Sequence, residues 1–556
     1  MTDERFTDDA LTIGKLNRAQ FLRVGTMTLA GISIGGLAAC AGANKASEQG
    51  VRLAGGDWGY PSPFGYLRGP GYWRMSYIFD TLIWRDSSGK LIPWLATTWE
   101  TPDGGMTWRF RLRQGVKWQD GRPLTARDVA FSYGYFVEKP VPPATIVRPQ
   151  FVAGATASGE DLVEIKLAKP YAAFLSDIAG ALPIIPQHIW KDVEDPAKFR
   201  GKEAVIGSGP YRLQSYSRAD GSYLFTANEG YFLGKPYVTR IENVPADNEL
   251  LALRKGEIDA GGPPPLKPSP AALESFRKNP DFDVVRGTPD FTLALYFKLT
   301  GGGALADPRF RRAIASAVNR EDAVKRALQG QGVPGKPGWL PPSNAYYAET
   351  RDYPFDLAKA RSELDGAGYR MTGDTRRGPD GKALSFRLAF EAPMASQAAE
   401  LVASYLKPLG ITVRPQALDT TTLNERSTKG DYELALISYG GLGGNPDYMR
   451  LVFAPKAPQI QSVLGYDNRE FKRLIMKQAF VQDVAERRRM FARLQEILAT
   501  DVPILPLYYP YLFHAFRKQV FDAWYFTPGG FAGRIPTAFN KQSFVTGKRT
   551  GTDIRS

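Results

Sequence analysis

Residues 79–133 read FDTLIWRDSSGKLIPWLATTWETPDGGMTWRFRLRQGVKWQDGRPLTARDVAFSY. From Thr107 to Arg113 apolar and basic residues alternate strictly. Trp108, Phe110 and Leu112 point one way, and Arg109, Arg111 and Arg113 the other. A period of two with one apolar face predicts a half-buried strand. Asp120-Gly121 predicts a tight hairpin turn. Thr125, with Asp128 three residues on, predicts a capping box at a helix start, with Asp in the usual Glu place.

Similar signals continue outward. Residues 162–167 (LVEIKL) repeat the strand pattern more weakly. Asp307-Pro308 predicts a helix start, Asp as cap and Pro at the first position. Its apolar face is Phe310, Ile314, Ala317 and Val318. Asn319 is placed to cap a second helix, with Val324 and Leu328 on one face, and Asp356 a third that ends near Gly366-Ala367-Gly368. A long helical stretch is expected from about Asn468 to Ala499. Residues 261–270 (GGPPPLKPSP) read as a stiff loop, and the tail from Lys541 as polar and loose. There is no internal repeat. Short strands mixed with helices indicate an α/β protein with mixed sheets.

The chain has 556 residues, too many for one hydrophobic core, so two or three domains are expected. Its 26 Tyr and 10 Trp suit a cleft that stacks on ligands, and equally a large multi-domain core. The net charge is +14, from 71 basic and 57 acidic residues. The first 39 residues hold four of each sign, so the excess lies wholly beyond them. Basic residues are scattered, with no dense tail and no nucleic-acid motif. The charge therefore reads as solubility and attraction to an anionic lipid surface, with no nucleic-acid partner expected.

The one cysteine is Cys40, so no intrachain disulfide exists. Before it, residues 24–39 (VGTMTLAGISIGGLAA) are uncharged, and Arg18 and Arg23 precede them. A basic stretch followed by an apolar one is the layout of a secretory signal over 1–39. A transmembrane anchor is the alternative, although a span needs about 20 residues. Leu37-Ala38-Ala39-Cys40-Ala41-Gly42 resembles the lipobox of bacterial lipoproteins, which implies a lipid on Cys40 and anchoring to a membrane. Arg18-Ala19-Gln20-Phe21-Leu22-Arg23 resembles a twin-arginine signal with Ala19 in place of the second arginine, so that route and the general secretory one both stay open. Residues 40–50 then form a flexible, lipidated tether.

Catalytic signatures are missing. The two histidines, His188 and His514, lie far apart, and the chain contains no HExxH, CxxC, Walker A or GxSxG pattern. No metal and no cofactor is expected. A paired-carboxylate hydrolase is the enzyme reading left open.

The stretch quoted above closely resembles the family 5 extracellular solute-binding proteins, the peptide, nickel and oligosaccharide receptors of ABC importers. The family pattern runs through Pro93, Leu95, Ala96, Trp99 and Glu100, then Trp108, Phe110, Leu112 and Arg113. It continues through Gly115 to Trp118, Asp120-Gly121, Pro123, Thr125-Ala126, Asp128-Val129 and Phe131-Ser132. Further matches are Gly207–Tyr211, Asn228–Pro236, Lys255–Asp259, Asp307–Ala323 and Asp501–Tyr508. The resemblance covers essentially residues 50–540.

It implies a two-lobed flytrap of the periplasmic-binding-protein type with an additional subdomain. Lobe I is expected at 51–90, 205–300 and 505–545, the extra subdomain at 91–204, lobe II at 301–504, and a flexible tail at 546–556. It implies a monomeric receptor, exported to the periplasm or cell surface, that is not an enzyme. The receptor delivers a small polar solute, a peptide or peptide-like one, to ABC permease subunits. An oligosaccharide, a metal chelate or another polar conjugate is the alternative. In peptide-binding members an Asp in a D-P-D-like loop pairs with the ligand's amino terminus. The matching loop here is Tyr439 to Met449 (YGGLGGNPDYM), and Asn445 stands at that Asp. An amide cannot make a charge-assisted bond to an ammonium group. Asp447 is the candidate substitute. Asp57, Trp58 and Tyr60, after the first strand, and Trp339 are the other candidate ligand-binding residues.

Overall fold

A computed structural model of the chain describes residues 50–66, 68–139, 151–261, 270–455, 458, 461–530 and 538–549. Cys40 with its leader, most of the 261–270 loop and the last seven residues lie outside these. The expected α/β fold with mixed sheets is what forms, in two halves.

The first half is built on the strands Gly50–Ala54, Arg240–Val244, Ser222–Ala227 and Tyr211–Ser217, hydrogen-bonded in that order. Ala260 bridges Leu53 on one side and Phe516 on the other, which joins these strands to the antiparallel pair Phe282–Gly287 and Leu512–Arg517. An antiparallel meander of Ala96–Glu100, Thr107–Leu112, Leu162–Leu167 and Val152–Ser158 stands beside it. Trp108, Phe110 and Leu112 are buried and the arginines between them are not, as their alternation requires. The helix Ala126–Glu138 opens on the expected capping box, with both the Thr125 and the Asp128 halves formed. One continuous apolar core joins the meander to the first sheet.

The second half is a six-stranded sheet in the order Gly332–Pro334, Ile504–Pro510, Phe291–Phe297, Leu434–Gly440, Ser385–Glu391 and Thr412–Leu418. Its central strand Phe291–Phe297 is buried on both faces. Leu293, Leu295 and Phe297 enter one core, and Ala294 and Tyr296 the other. Helices Pro308–Ala317, Arg320–Ala327 and Leu357–Gly366 start on the side chains of Asp307, Asn319 and Asp356.

Three expectations change. Phe291–Phe297 and Ile504–Pro510 pair within the six-stranded sheet, so the chain passes between the halves at 288–290 and at Tyr511 rather than at 300 and 504. The long helix over Asn468–Ala499 is two helices, Arg469–Lys477 and Val484–Asp501. Asp483 caps the second, and Gln478 between them turns inward and is fully buried. The tail is not loose at Lys541, which is also fully buried and begins the helix Lys541–Thr546.

That lysine explains several family motifs at once. Its Nζ lies 2.6 Å from Asp80 Oδ1 and 3.0 Å from Ser76 O. Asp80 also accepts from Trp94 Nε1 at 2.7 Å, Ser208 Oγ at 2.9 Å and Tyr231 OH at 3.2 Å. Next to it, Asn540 accepts from Trp84 Nε1 at 2.9 Å and donates to Arg85 O at 3.1 Å. The C-terminal segment therefore holds the FDTLIWR stretch in place.

Candidate functional site

The loop after strand Leu434–Gly440 is fixed from three sides. Gly441 turns it with φ +83°. Asn344 Nδ2 donates to Leu442 O at 2.6 Å and to Gly444 O at 3.0 Å. Leu442 N–H donates to Asp290 O at 3.0 Å. Asn445 then caps a short turn over Pro446–Tyr448, its Oδ1 accepting from Asp447 N at 3.1 Å.

Asn445 Oδ1 also accepts from Arg487 Nη2 at 2.7 Å. Arg487 is buried, donates to Gln478 Oε1 at 2.9 Å and to Tyr346 OH at 3.2 Å, and lies over the Tyr346 and Phe491 rings. It is thus satisfied by neutral acceptors and ring faces. Asp447 is fully buried. Its carboxylate takes Arg450 Nη2 at 3.0 Å, Gln478 Nε2 at 2.6 Å and Tyr171 OH at 3.1 Å. A carboxylate so occupied has no open side for a ligand's ammonium group.

Tyr171 belongs to the first half, so its bond to Asp447 crosses between the halves. It stacks on Phe151 at 4.2 Å, and Ala172 N–H donates to Ala479 O at 2.9 Å. Removing one neutral donor from such a bond costs about 1 kcal/mol. Tyr171→Phe should therefore lower the unfolding free energy by about that amount, read as a lower urea midpoint at unchanged slope. An unchanged midpoint would show that the bond contributes nothing to holding the halves together.

Trp339 has no exposed surface and takes φ +78°. It packs on Tyr439, Tyr448 and Phe453 with ring centroids 5.3, 5.4 and 4.9 Å away. It buttresses Tyr439, which is half-buried at the end of its strand. Asp57, Trp58 and Tyr60 form a separate group against the Tyr211–Ala227 hairpin. Asp57 Oδ1 accepts from Tyr216 OH at 2.7 Å and Gly59 N at 2.9 Å. Trp58 N–H donates to Tyr223 OH at 3.0 Å, and Tyr60 OH to Gly201 O at 2.7 Å. Among the described residues no hydrogen bond or ring contact joins them to the 439–447 loop. The structure thus brings Trp339, Tyr439, Asn445 and Asp447 together and leaves these three apart.

Two charged residues at the junction carry no motif that singles them out. Asp290 lies in the first crossing, 3% exposed, and its Oδ1 accepts from Gly443 N–H. Burial pushes its carboxyl up to about 7. Arg85 lies in the short strand Ile83–Arg85 and donates to Gly89 O at 3.3 Å. Desolvation lowers its pKa, and Asp177 acts against this at longer range. Neither forms an ion pair among the described residues. Neither histidine bonds to these residues. His514 is buried, which pushes it down to about 3 and leaves it neutral, and His188 Nε2 meets Asp120 Oδ2 at 2.7 Å on an outer turn.

Among the described residues no helix is long and apolar enough to cross a membrane. Residues 90–459 match the family model "Bacterial extracellular solute-binding proteins, family 5 Middle". The chain is 27% identical over 499 residues to di/tripeptide-binding protein 2 of Pseudomonas aeruginosa, covering 81% of this chain and 89% of that protein. It is 31% identical over 394 residues to protein XP55 of Streptomyces lividans, covering 70% of each. Its fold resembles that of NikA from Brucella suis, solved in complex with Fe(III)-EDTA. The TM-score is 0.74 at 23% identity, over 88% of this chain and 98% of that one.

Proposed function

We propose that this chain, which belongs to the bacterial extracellular solute-binding proteins of family 5, captures a peptide or peptide-like solute outside the cytoplasm and delivers it unchanged to the permease of an ABC importer. The observation that carries this reading is the family match over 90–459, which spans both halves and the junction between them. The di/tripeptide-binding relative supports the ligand class. The solute lies between the halves, lined by Tyr439 and Asn445. Trp339 backs that wall, and Asp57, Trp58 and Tyr60 belong to the far wall. Two short crossings at 288–290 and Tyr511 act as the hinge. Closure strips water from the solute, so its polar groups need protein partners. The solute favours the closed form only as far as it binds that form better than the open one.

Residues 1–39 direct export, and a lipid on Cys40 keeps the receptor at the membrane. The receptor acts as a monomer and catalyses nothing. A second reading, a polar solute without an ammonium group such as an oligosaccharide or a chelate, is favoured by Asn445 and by the occupied carboxylate of Asp447.

A thermal-shift screen of the purified chain against peptides, sugars and metal chelates separates these readings. At 100 times its Kd a ligand adds about 2.7 kcal/mol of stability, so peptides should raise the melting temperature by a few degrees. Mass spectrometry should then recover them intact. Turnover of a stabilising ligand would overturn the receptor reading, and stabilisation by sugars or chelates alone would select the second. Cys40→Ser should move the protein from the membrane to the soluble fraction.

A further inference from the structure

We infer that Arg487 is a positioning residue that locks the Asn445 amide with its nitrogen outward, so that the loop offers the solute hydrogen-bond donors only at this residue. The solute group met there is an oxygen acceptor, a carbonyl or a hydroxyl, and not an ammonium group. This rests on the reading that the solute lies against the 439–447 loop, and deepens it by naming the chemistry of that wall.

Both lone pairs of Asn445 Oδ1 are in use. One accepts from Arg487 Nη2 at 2.7 Å and the other from Asp447 N–H at 3.1 Å. The amide nitrogen bonds to no protein group among the described residues, and it is not one of the enclosed polar atoms. It stays accessible on a half-buried residue. Turning the amide would exchange its oxygen and nitrogen. Here that would set the NH2 group against two donors, a guanidinium and a backbone N–H. It would break a charge-assisted bond, the stronger kind, and form none within the protein.

Two fixed charges set this polarity. Arg487 is buried and can only donate. Gln478 lies between it and the Asp447 carboxylate. Gln478 Oε1 accepts from Arg487 Nε at 3.1 Å and Nη2 at 2.9 Å. Its Nε2 donates to Asp447 Oδ1 at 2.6 Å and to Ile475 O at 3.1 Å. A cation on one side and an anion on the other leave Gln478 one orientation. Arg487 is also held in place from behind. Its Nη1 donates to Tyr346 OH at 3.2 Å, and its guanidinium carbon lies 5.2 and 5.4 Å from the Tyr346 and Phe491 ring centres. The oxygen of Asn445 is therefore drawn inward before any solute arrives.

An ammonium group carries donors only. Against Asn445 Nδ2 it would set donor on donor, with the guanidinium directly behind. A carbonyl or hydroxyl oxygen completes the amide instead. An Asp at 445 would not restore an ammonium site, because Arg487 would pair with it.

The test uses three mixtures: random tripeptides, the same tripeptides N-formylated, and neutral oligosaccharides. Each is incubated with the purified chain, and the retained molecules are measured by mass spectrometry. Asn445→Asp keeps acceptors for Arg487 and for Asp447 N–H but turns the outward atom from donor to acceptor. It should weaken whichever mixture the wild type retains by about 10-fold or more, with free and formylated peptides losing alike. Arg487→Met lets the amide turn and should cost about 5-fold. Arg487→Lys should recover most of that, since an ammonium group also donates to Asn445 Oδ1. Without solute, Asn445→Asp should melt no lower than the wild type, which excludes misfolding as the cause; if it melts lower, the two Arg487 variants decide. Unchanged retention by a folded Asn445→Asp, or a gain confined to free amino termini, would overturn the assignment while the receptor reading stands. So would an Arg487→Met that folds and binds as the wild type does. If the wild type retains nothing from any mixture, the reading of the solute wall fails and the assignment falls with it.

Discussion

Lys541→Met should destabilise the protein by about 3–5 kcal/mol, because it leaves Asp80 charged and buried without its cation. Both side chains are completely buried, and 461 residues of chain separate them. Burial lowers the lysine's pKa and the Asp80 carboxylate opposes that. The lysine also stands over the rings of Trp84 at 4.4 Å and Trp94 at 5.4 Å. The effect is read as a lower midpoint in urea denaturation. A buried pair replaced on both sides by apolar residues is often neutral, whereas removal of one partner is costly. Asp80→Leu combined with Lys541→Met should therefore lose less than the two single changes added together, by 1 kcal/mol or more. Simple additivity would mean that the two charges do not depend on each other, and the account of the FDTLIWR stretch given above would fail.

What could be read from the chain, and what could not, divides by distance along it. The strand at Thr107–Leu112, the capping box at Thr125 and the helix starts at Asp307, Asn319 and Asp356 were legible. Each is decided by residues within about four positions, where periodicity and capping act. The buried lysine was not, since nothing near Lys541 announces a carboxylate at Asp80. The break at Gln478 escaped for the same reason: its inward turn serves Asp447 and Arg487, which come from other elements. The central strand Phe291–Phe297 was visibly apolar, but its sheet is chosen by long-range pairing. The 439–447 loop was found through the family resemblance, which marked Asn445 as a departure without indicating that Arg487 would bind its Oδ1. Asp290 and Arg85 belong to no spacing pattern, because nothing local to either marks the backbone it contacts at Gly443 or Gly89.

Asp290 should also make the ligand-free protein lose stability as pH rises, the reverse of the usual carboxylate. In the unfolded chain an Asp gives up its proton near 3.9. In the folded protein this one holds it to about 7. Between those values the folded state carries a proton that the unfolded state has released, so raising the pH favours unfolding. Stability is fully present below about pH 4, declines through pH 7 and is level above it. At about 1.4 kcal/mol per unit the loss reaches about 4 kcal/mol by pH 8. His514 acts in the opposite sense. Its pKa of about 3 when folded withdraws stability as pH falls below the ordinary histidine value near 6.5. The two slopes oppose each other below pH 6.5, so the wild-type curve alone is uninformative. The difference between wild type and Asp290→Asn cancels the histidine. Burial is the main cause of the shift and the Gly443 N–H opposes it, with no charged group among the causes, and the loops at 441–444 and 526–530 bring no charge of their own. Asp290→Asn should therefore match the wild type near pH 4 and exceed it by several kcal/mol at pH 8, measured by urea unfolding after any bound peptide has been removed. A difference that stays flat from pH 4 to 8 would mean that Asp290 ionises as it does in water.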